Sequence, residues 1–399
     1  MAHHCSSRRQ MTSAQTYLNL ISRPDRGTLG LAAAGRQRGG PADKQELLER
    51  LRAEIAYVER KANVRVDADD IDTLIAQADD GLSRLFGDGA DAKLNRSAIS
   101  GLEAVVRTDG SRPVLFVEDD FVDLTAPSIG NYAAGLSRFE EAVRQVCQSV
   151  GRVDDPSAVP LGYRGTAWVI AEGLVATNYH VLQAIAPDGV RSDGRFEGHL
   201  NPGVTIHFGH EVGDPRPDRR FPIRQVVSVG REGAAEFSQP DSSLNFDGLD
   251  LAIMELEPIP GRAFPPPNRI ARGDDPLTRG GLASSGRGIY VVGYPGDEHS
   301  TTPDLFARLF AGVKSFKRFA PGRITAAAGE LTDDPRRWII THDASTLGGN
   351  SGSALADYDG DGQTLLGLHF AGYHARQNWA HALERMTEDL TPVLPPPVA

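Results

Sequence analysis

The chain has 399 residues, 40% of them hydrophobic, and a formal net charge of −11 from 42 basic and 53 acidic side chains. That length admits one large domain with an appendage, and that hydrophobic content fills a core, which excludes disorder throughout. The acidic balance gives the whole chain no field suited to nucleic acid, and two cysteines, Cys5 and Cys147, make no disulfide framework.

The opening MAHHCSSRRQMTSAQ has charge without a secretory apolar run behind it, and no later segment reads as a membrane span, so cytoplasmic residence is expected. Residues 1–42 contain RPDRG, AAAG and RGGP and read as a flexible tail or linker. From Asp43, KQELLERLRAEIAYVERKA carries Leu47, Leu48, Leu51, Ile55 and Val58 at helical spacing. A second helix is predicted from about Asp70 to Phe86, and AISGLEAVVR reads as a third before the Thr108-Asp109-Gly110 turn. PVLFVEDDFVDL then predicts a hairpin with its acidic centre in water. Residues 43–130 thus read as a mainly helical accessory domain without a catalytic signature.

FEEAVRQVCQSVGRV fits either a helix or a helix that gives way to a strand. After it come short β-prone runs broken by glycine and proline: GTAWVI, LVATNYHVL, VTIHF, IRQVVSVG, LDLAIMEL, IYVVGY, WIITHD and LLGLHFAGY. Such spacing favours an all-β barrel or sandwich over βαβ units. WAHALERMTEDL is expected to form a last helix before PVLPPP.

Three residues carry the chemistry. ATNYHV sets His180 at the end of an apolar run, FDGLDLAIMEL sets Asp250 just before a buried-type strand, and GGNSGS holds Ser351 among glycines. A serine hydroxyl attacks a carbonyl poorly until an imidazole takes its proton, and a carboxylate fixes the imidazole's tautomer. One base, one orienter and one nucleophile are therefore present, useful only if the fold joins them. The chain order does not match the nucleophile-acid-histidine order of α/β-hydrolases.

TNYHV, DLAIMEL and GGNSGS, in this order, resemble the motifs of chymotrypsin-like peptidases, and GGNSGS followed by GLHFAG is most similar to the bacterial glutamyl endopeptidase branch. The resemblance covers about residues 140–390 and implies a mainly β fold of two six-stranded barrels with the site between them. His180 and Asp250 would come from the first barrel and Ser351 from the second. The chain then divides into a tail (1–42), a helical accessory domain (43–130) and a peptidase domain (131–399) that ends in a helix.

The same resemblance implies a serine endopeptidase acting through an acyl-enzyme, with Gly349 and Ser351 N–H groups as the oxyanion hole. Asn350 stands where digestive members carry an aspartate that pairs with a new N-terminus, so that activation is not implied here. Thr346 and His369 match the positions that receive an acidic side chain, which makes glutamate before the scissile bond the expected preference. Phe370, Ala371 and Gly372 would present backbone to an extended polypeptide substrate.

No metal or organic cofactor is expected. DYDGDG starts like a calcium loop, but its twelfth position would be Leu368, and His207 with His210 in HFGH lacks further ligands. HFGHEVGDPRPDRR and REGAAEFSQPDSSLNFDG read as surface insertions, and Lys314, Lys317 and Arg318 as a solvated basic face. His342, Asp343 and His381 are expected to shape or pack the fold. Two alternatives stay open: a catalytically silent or autoinhibited peptidase-like protein-binding module, and esterase activity. Regulation by the N-terminal region or by a partner protein is a further expectation.

Overall fold

Asp43, Asp67 and Asn95 start three helices by accepting hydrogen bonds from the backbone N–H groups of Gln45, Asp69 and Ala98. Each side chain satisfies a donor that the first helical turn leaves unpaired. The helices are α2 (Lys44–Ala62), α3 (Ala68–Asp88) and α4 (Arg96–Thr108), and they bury the apolar faces foreseen from their periodicity. This computed structural model describes residues 13–21, 43–109, 112–192, 194–213, 215–234, 244–274, 281–296, 315–346, 349–373 and 377–394.

Within the expected tail, Ser13–Ile21 forms helix α1 with Ala14, Tyr17, Leu20 and Ile21 buried. The spacing of those four residues makes one apolar stripe, and Tyr17 Oη donates to Glu103 at 2.5 Å. The tail reading is therefore corrected for this segment, which packs on the helical unit.

Strands β1 (Leu115–Glu118) and β2 (Phe121–Val122) form the foreseen hairpin. Asp119 and Asp120 take positive φ values of 50° and 62° in its two-residue turn. The acidic centre faces water only in part: Asp119 is exposed, but Asp120 is buried and receives Arg216 at 2.8 Å and Arg219 at 2.6 Å. Nor is the accessory region a separate body, because β1 pairs with a strand of the second barrel, Leu115 opposite Phe319.

Helices α5 (Tyr132–Arg138) and α6 (Glu140–Ser149) follow, and α6 passes directly into β3 (Val150–Asp154). The first barrel is closed by β3, β4 (Tyr163–Ala171), β5 (Leu174–Thr177), β8 (Thr205–His207), β9 (Arg220–Val229) and β10 (Ala252–Leu256). Helix α7 (Tyr179–Ile185) and a small hairpin, β6 (Val190–Ser192) and β7 (Arg195–Glu197), decorate it.

The second barrel uses β11 (Gly288–Gly293), β12 (Arg318–Ala326), β13 (Ile339–His342), β14 (Ala354–Asp357), β15 (Leu365–Tyr373) and β16 (Gln377–Ala382). The order β11-β14-β15-β16-β13-β12 closes through the β11–β12 pairing, so the fold is mainly β with two six-stranded barrels. The expected last helix is mostly replaced: residues 379–382 belong to β16, which must pair with both β13 and β15. Only a 3-10 turn at Leu383–Arg385 and the one-turn helix α8 (Thr387–Leu390) follow. The barrel's need for a sixth strand overrides local helix propensity.

Period-2 alternation assigns the two faces of the strands. On β11, Ile289 and Val291 enter the second barrel's core, while Tyr290 and Val292 join a larger cluster with Phe116, Leu102 and Trp168. On β4, Ala167 and Val169 fill the first barrel, while Trp168 and Ile170 enter that same larger cluster. One apolar layer therefore joins the N-terminal helices to both barrels.

A buried ionic hub sits beside that layer. Lys317 is fully buried, and its ammonium donates to the carbonyls of Cys147 and Phe208 at 2.7 Å each and to Glu211 at 2.8 Å. Glu211 also accepts from the Asp120 N–H and from Arg216, both at 2.9 Å. Burial works to raise the Asp120 pKa, but the Arg216 hydrogen bond and the charges of Lys317 and Arg219 outweigh it and hold the value at about 2. In HFGHEVGDPRPDRR the surface reading is thus corrected for residues 207–212, which are mostly buried at this point, while 213 and 215–220 are exposed or half-buried. Lys317 and Arg318 are buried, not a solvated face, and Lys314 lies outside the described residues.

Removing one member of a buried pair strands the other charge, so Lys317→Met should lower stability by about 3–5 kcal/mol, measured by urea unfolding. Deleting residues 1–130 removes β1 from β12 and Asp120 from its arginines. The expected result is a lower melting temperature and aggregation, checked by scanning fluorimetry and light scattering against the full chain.

Candidate active site

His180 lies in the first turn of α7, just after β5. Its ring Nδ1 sits 2.7 Å from Asp250 Oδ2, and its backbone N–H donates to Asp250 Oδ1 at 3.0 Å. Both carboxylate oxygens are therefore spent on one residue, which fixes the ring's position and tautomer: Nδ1 carries the proton, and Nε2 is left with its lone pair.

The ring keeps 45% of its side-chain surface open. Packing around the ring opposes its charged form, but the charge and hydrogen bond of Asp250 outweigh this and raise the His180 pKa above the ordinary value. For Asp250, burial pushes upward, yet the same partner holds its pKa below the usual carboxylate value.

Asp250 stands immediately ahead of β10 and is anchored through its backbone. Asn178 Nδ2 donates to the Asp250 carbonyl at 2.9 Å, and the Asp250 N–H donates to His381 Nε2 at 3.2 Å. His381 reaches across from β16, stacked on Phe370 with ring centroids 4.5 Å apart and edge-on to Trp338. Burial lowers its pKa to about 4 despite the Asp250 charge, so the ring is neutral and able to accept. Neither Asn178 nor His381 stood out as a site residue in the sequence; the one available signal was the TNYHV context of Asn178.

Ser351 occupies the turn before β14. Its carbonyl accepts from the Thr166 N–H at 2.9 Å, and the Thr166 hydroxyl donates to the Gly349 carbonyl at 3.1 Å. The nucleophile-type turn of the second barrel is thereby tied to β4 of the first. A Cβ on Gly165 would lie 2.8 Å from the Val181 side chain and 3.0 Å from the Ser351 carbonyl oxygen, which brings Ser351 alongside the residue after His180. No hydrogen bond joins Ser351 Oγ to His180 among the described residues.

Gly349 and Gly352 both have φ of 85°. A side chain at Gly352 would meet the Thr166 carbonyl at 2.0 Å, so glycine is required by close approach as well as by conformation. The N–H groups of Gly349 and Ser351 have no acceptor among the described residues. Ser353 is fully buried and donates to Asn350 Oδ1 at 3.3 Å, a supporting hydroxyl inside the turn.

Beside this turn, His369 on β15 is buried, and its Nδ1 lies 3.2 Å from His342 Nε2 on β13. Burial, with the neighbouring His180 charge, lowers the His369 pKa to about 3. Burial drives His342 well below its ordinary value, helped by the charges of His369 and Arg112. Thr346 donates its hydroxyl proton to Asn378 Oδ1, while Asn378 Nδ2 is held by the Ala344 carbonyl at 2.9 Å and the His342 carbonyl at 3.3 Å.

β14 pairs with β15 as far as Leu368, and the Gly352 N–H takes the His369 carbonyl. Ala371 and Gly372 pair on their other side with Trp379 and Asn378. Phe370 turns its ring inward toward Phe246 and His381. Among the described residues, no group of three or more His, Cys, Asp or Glu side chains is arranged to hold a metal, and no helix is long and apolar enough to cross a membrane.

The family model described as a trypsin-like peptidase domain matches residues 165–368. A probable serine protease of Lysobacter enzymogenes is 30% identical over 321 residues, covering 77% of this chain and 78% of that one. The chain belongs to the trypsin-like peptidase family. It is a serine protease, a hydrolase whose substrates are polypeptides. Among solved structures, the active form of the Rv3671c protease from M. tuberculosis is 22% identical, with 65% of this chain and 86% of that one covered and a TM-score of 0.36. The serine endoprotease from Yersinia pestis is 17% identical, with 64% and 65% covered and a TM-score of 0.36.

The His180–Asp250 contact sets a measurable titration. His180 should titrate above about 6.5, the unperturbed histidine value, in a ring-proton NMR titration. In Asp250→Asn the carboxylate is gone, packing alone remains, and the value should fall below that of the parent; an unchanged value would separate the ring from Asp250.

Proposed function

We propose that this serine protease is an endopeptidase in which Ser351 is the nucleophile, His180 the general base and Asp250 its orienter. The observation that carries this reading is the two-point grip of Asp250 on His180, which leaves Nε2 as the only basic ring atom. His180 takes the Ser351 hydroxyl proton as Oγ bonds to the peptide carbonyl carbon, then returns it to the leaving amine as the acyl-enzyme forms. Water, deprotonated by His180, attacks the acyl carbon, and the acid product leaves with Ser351 restored.

The N–H groups of Gly349 and Ser351, which have no acceptor among the described residues, supply the oxyanion hole. Backbone donors without an acceptor are rare, and two such groups in one turn suit the charge that develops on the carbonyl oxygen. The Ala371–Gly372 edge takes the extended substrate backbone by strand addition. Thr346 and His369 line the pocket for the residue before the scissile bond, with glutamate as its side chain, in keeping with the similarity to the bacterial glutamyl endopeptidases.

Mass-spectrometric mapping of cuts in a diverse peptide library tests both levels. Ser351→Ala should abolish all cuts, and Asp250→Asn should lower kcat by about 10⁴-fold. Cuts that survive in Ser351→Ala would remove Ser351 as nucleophile. Cuts mainly after apolar or basic residues would remove Thr346 and His369 from the pocket and leave the nucleophile standing. In the parent, kcat/KM should fall with acidification along a limb set by the raised His180 pKa, since only the neutral ring accepts the proton.

A further inference from the structure

The segment between β13 and β14 delivers the proposed nucleophile, and one of its ties comes from outside both barrels. Asp343 is clasped by Arg323 of β12: its N–H donates to the Arg323 carbonyl at 3.1 Å, and its carboxylate accepts from the Arg323 N–H at 2.7 Å. The Ala344 carbonyl accepts from Asn378 Nδ2 of β16 at 2.9 Å, and Thr166 of the first barrel holds the Gly349 carbonyl. Ser345 donates its hydroxyl to the backbone carbonyl of Arg112 at 3.0 Å, across 233 residues. Among the described residues it makes no other hydrogen bond.

Arg112 belongs to the N-terminal region, and its main chain is fixed on both sides. Its N–H donates to the Val106 carbonyl at 3.0 Å, in the last turn of α4. Just beyond it, Leu115 of β1 pairs with Phe319 of β12. Helix α4 is itself anchored: Glu103 accepts from Tyr17 of α1, and a Cβ on Gly101 would lie 2.3 Å from the Ala78 nitrogen of α3. The Arg112 carbonyl is therefore the tip of a stiff arm built from the helices.

Four residues after Ser345, Gly349 must arrive with φ of 85° in a place where a Cβ would lie 2.6 Å from the Gly296 nitrogen. Asn350 does not moor this turn to another element through its side-chain oxygen, which accepts from Ser353 inside the same turn. A loop tied partway along has fewer positions to lose than one held at its ends, and oxyanion donors act only where they are correctly placed. Nor is the arm a plug. With it docked, the His180 ring stays open, and among the described residues no hydrogen bond or ion pair joins residues 13–130 to His180, Asp250, Gly349 or Ser351.

We propose that the N-terminal region activates the protease in cis: the Arg112 carbonyl holds Ser345, and Ser345 is a positioning residue that sets the Gly349 and Ser351 N–H groups for turnover. The inference rests on the reading of Ser351 as nucleophile and of those N–H groups as its oxyanion hole.

The test uses the full chain. Ser345→Ala should lower kcat for peptide cleavage at least tenfold and leave KM within twofold, with the melting temperature lowered by no more than about 4 °C. Ser345→Thr, which keeps the hydroxyl, should return kcat to within threefold of the parent. A kcat in Ser345→Ala within twofold of the parent overturns the proposal, as does a loss that Ser345→Thr leaves unrestored. From the other side of the contact, Arg112→Pro removes the N–H that moors the arm to α4 and should lower kcat in the same way. Adding Ser345→Ala to it should then cost less than a further twofold, and losses that multiply would uncouple the two residues and overturn the proposal.

Amide exchange followed by NMR reads the turn without turnover. The Gly352 and Ser353 N–H groups, which donate to the His369 and Asn350 carbonyls at 2.9 and 2.8 Å, should exchange at least tenfold faster in Ser345→Ala. Unchanged exchange there overturns the proposal. If Ser351→Ala cuts peptides as the parent does, the nucleophile reading fails by itself, and the exchange rates still decide whether Arg112 fixes the turn.

Discussion

Thr166 is the residue on which the assembly of the site depends. It is fully buried on β4, and it holds the other barrel at three points: its N–H to Ser351, its hydroxyl proton to Gly349, and its hydroxyl oxygen to the Tyr294 N–H at 3.0 Å. Its own carbonyl takes the Thr177 hydroxyl at 2.7 Å, directly before Asn178 at the cap position of the His180 helix. For His180 and Ser351 to act together as proposed, their separation across the two barrels must be fixed, since a misplacement of about 1 Å can cost a hundredfold in rate. Each hydrogen bond contributes about 1 kcal/mol, but their common origin in one rigid strand supplies the positional precision.

The ionic hub serves a different end. Taking Lys317, Glu211 and Asp120 out of water costs more than their attraction alone returns, so apolar residues of equal volume would hold the same space with no loss of stability. What apolar residues would not supply is registry. Glu211 accepts from Lys317 at the entrance to the second barrel and from the Asp120 N–H of the N-terminal hairpin, and it belongs to the first barrel itself. One side chain thus reads the position of all three parts, and the β1–β12 pairing follows in only one alignment.

The residues proposed to carry the chemistry stand in short-range sequence contexts, which is why they could be singled out from the sequence. Gly349 and Gly352 flanking the Asn350–Ser351 pair, an asparagine two residues ahead of His180, and a strand starting two residues after Asp250 are short-range features. The residues that hold them in place were not legible, because their partners lie far along the chain. Thr166 meets Gly349 across 183 residues, Asp250 meets His381 across 131, and Lys317 meets Cys147 across 170. Read locally, Lys317 is a surface lysine and His381 a helix residue. The helical N-terminal region was foreseen as helices by periodicity, but its strand contribution to a barrel was not, since a four-residue strand has no periodic signal strong enough to name its partner.

Four histidines near the site show how environment divides one residue type into separate roles. His180 alone donates its ring N–H to a carboxylate, and that contact favours the charged form enough to overcome packing. His381 lies close to the same carboxylate yet touches only its backbone N–H, a contact that a protonated Nε2 would lose, so burial wins and the ring stays neutral. His342 and His369 face each other, and a charge on either would be repelled by the other side of the pair, by Arg112 or by His180. Among these four rings, only that of His180 is held in a setting that favours its charged form, and burial keeps His342, His369 and His381 neutral.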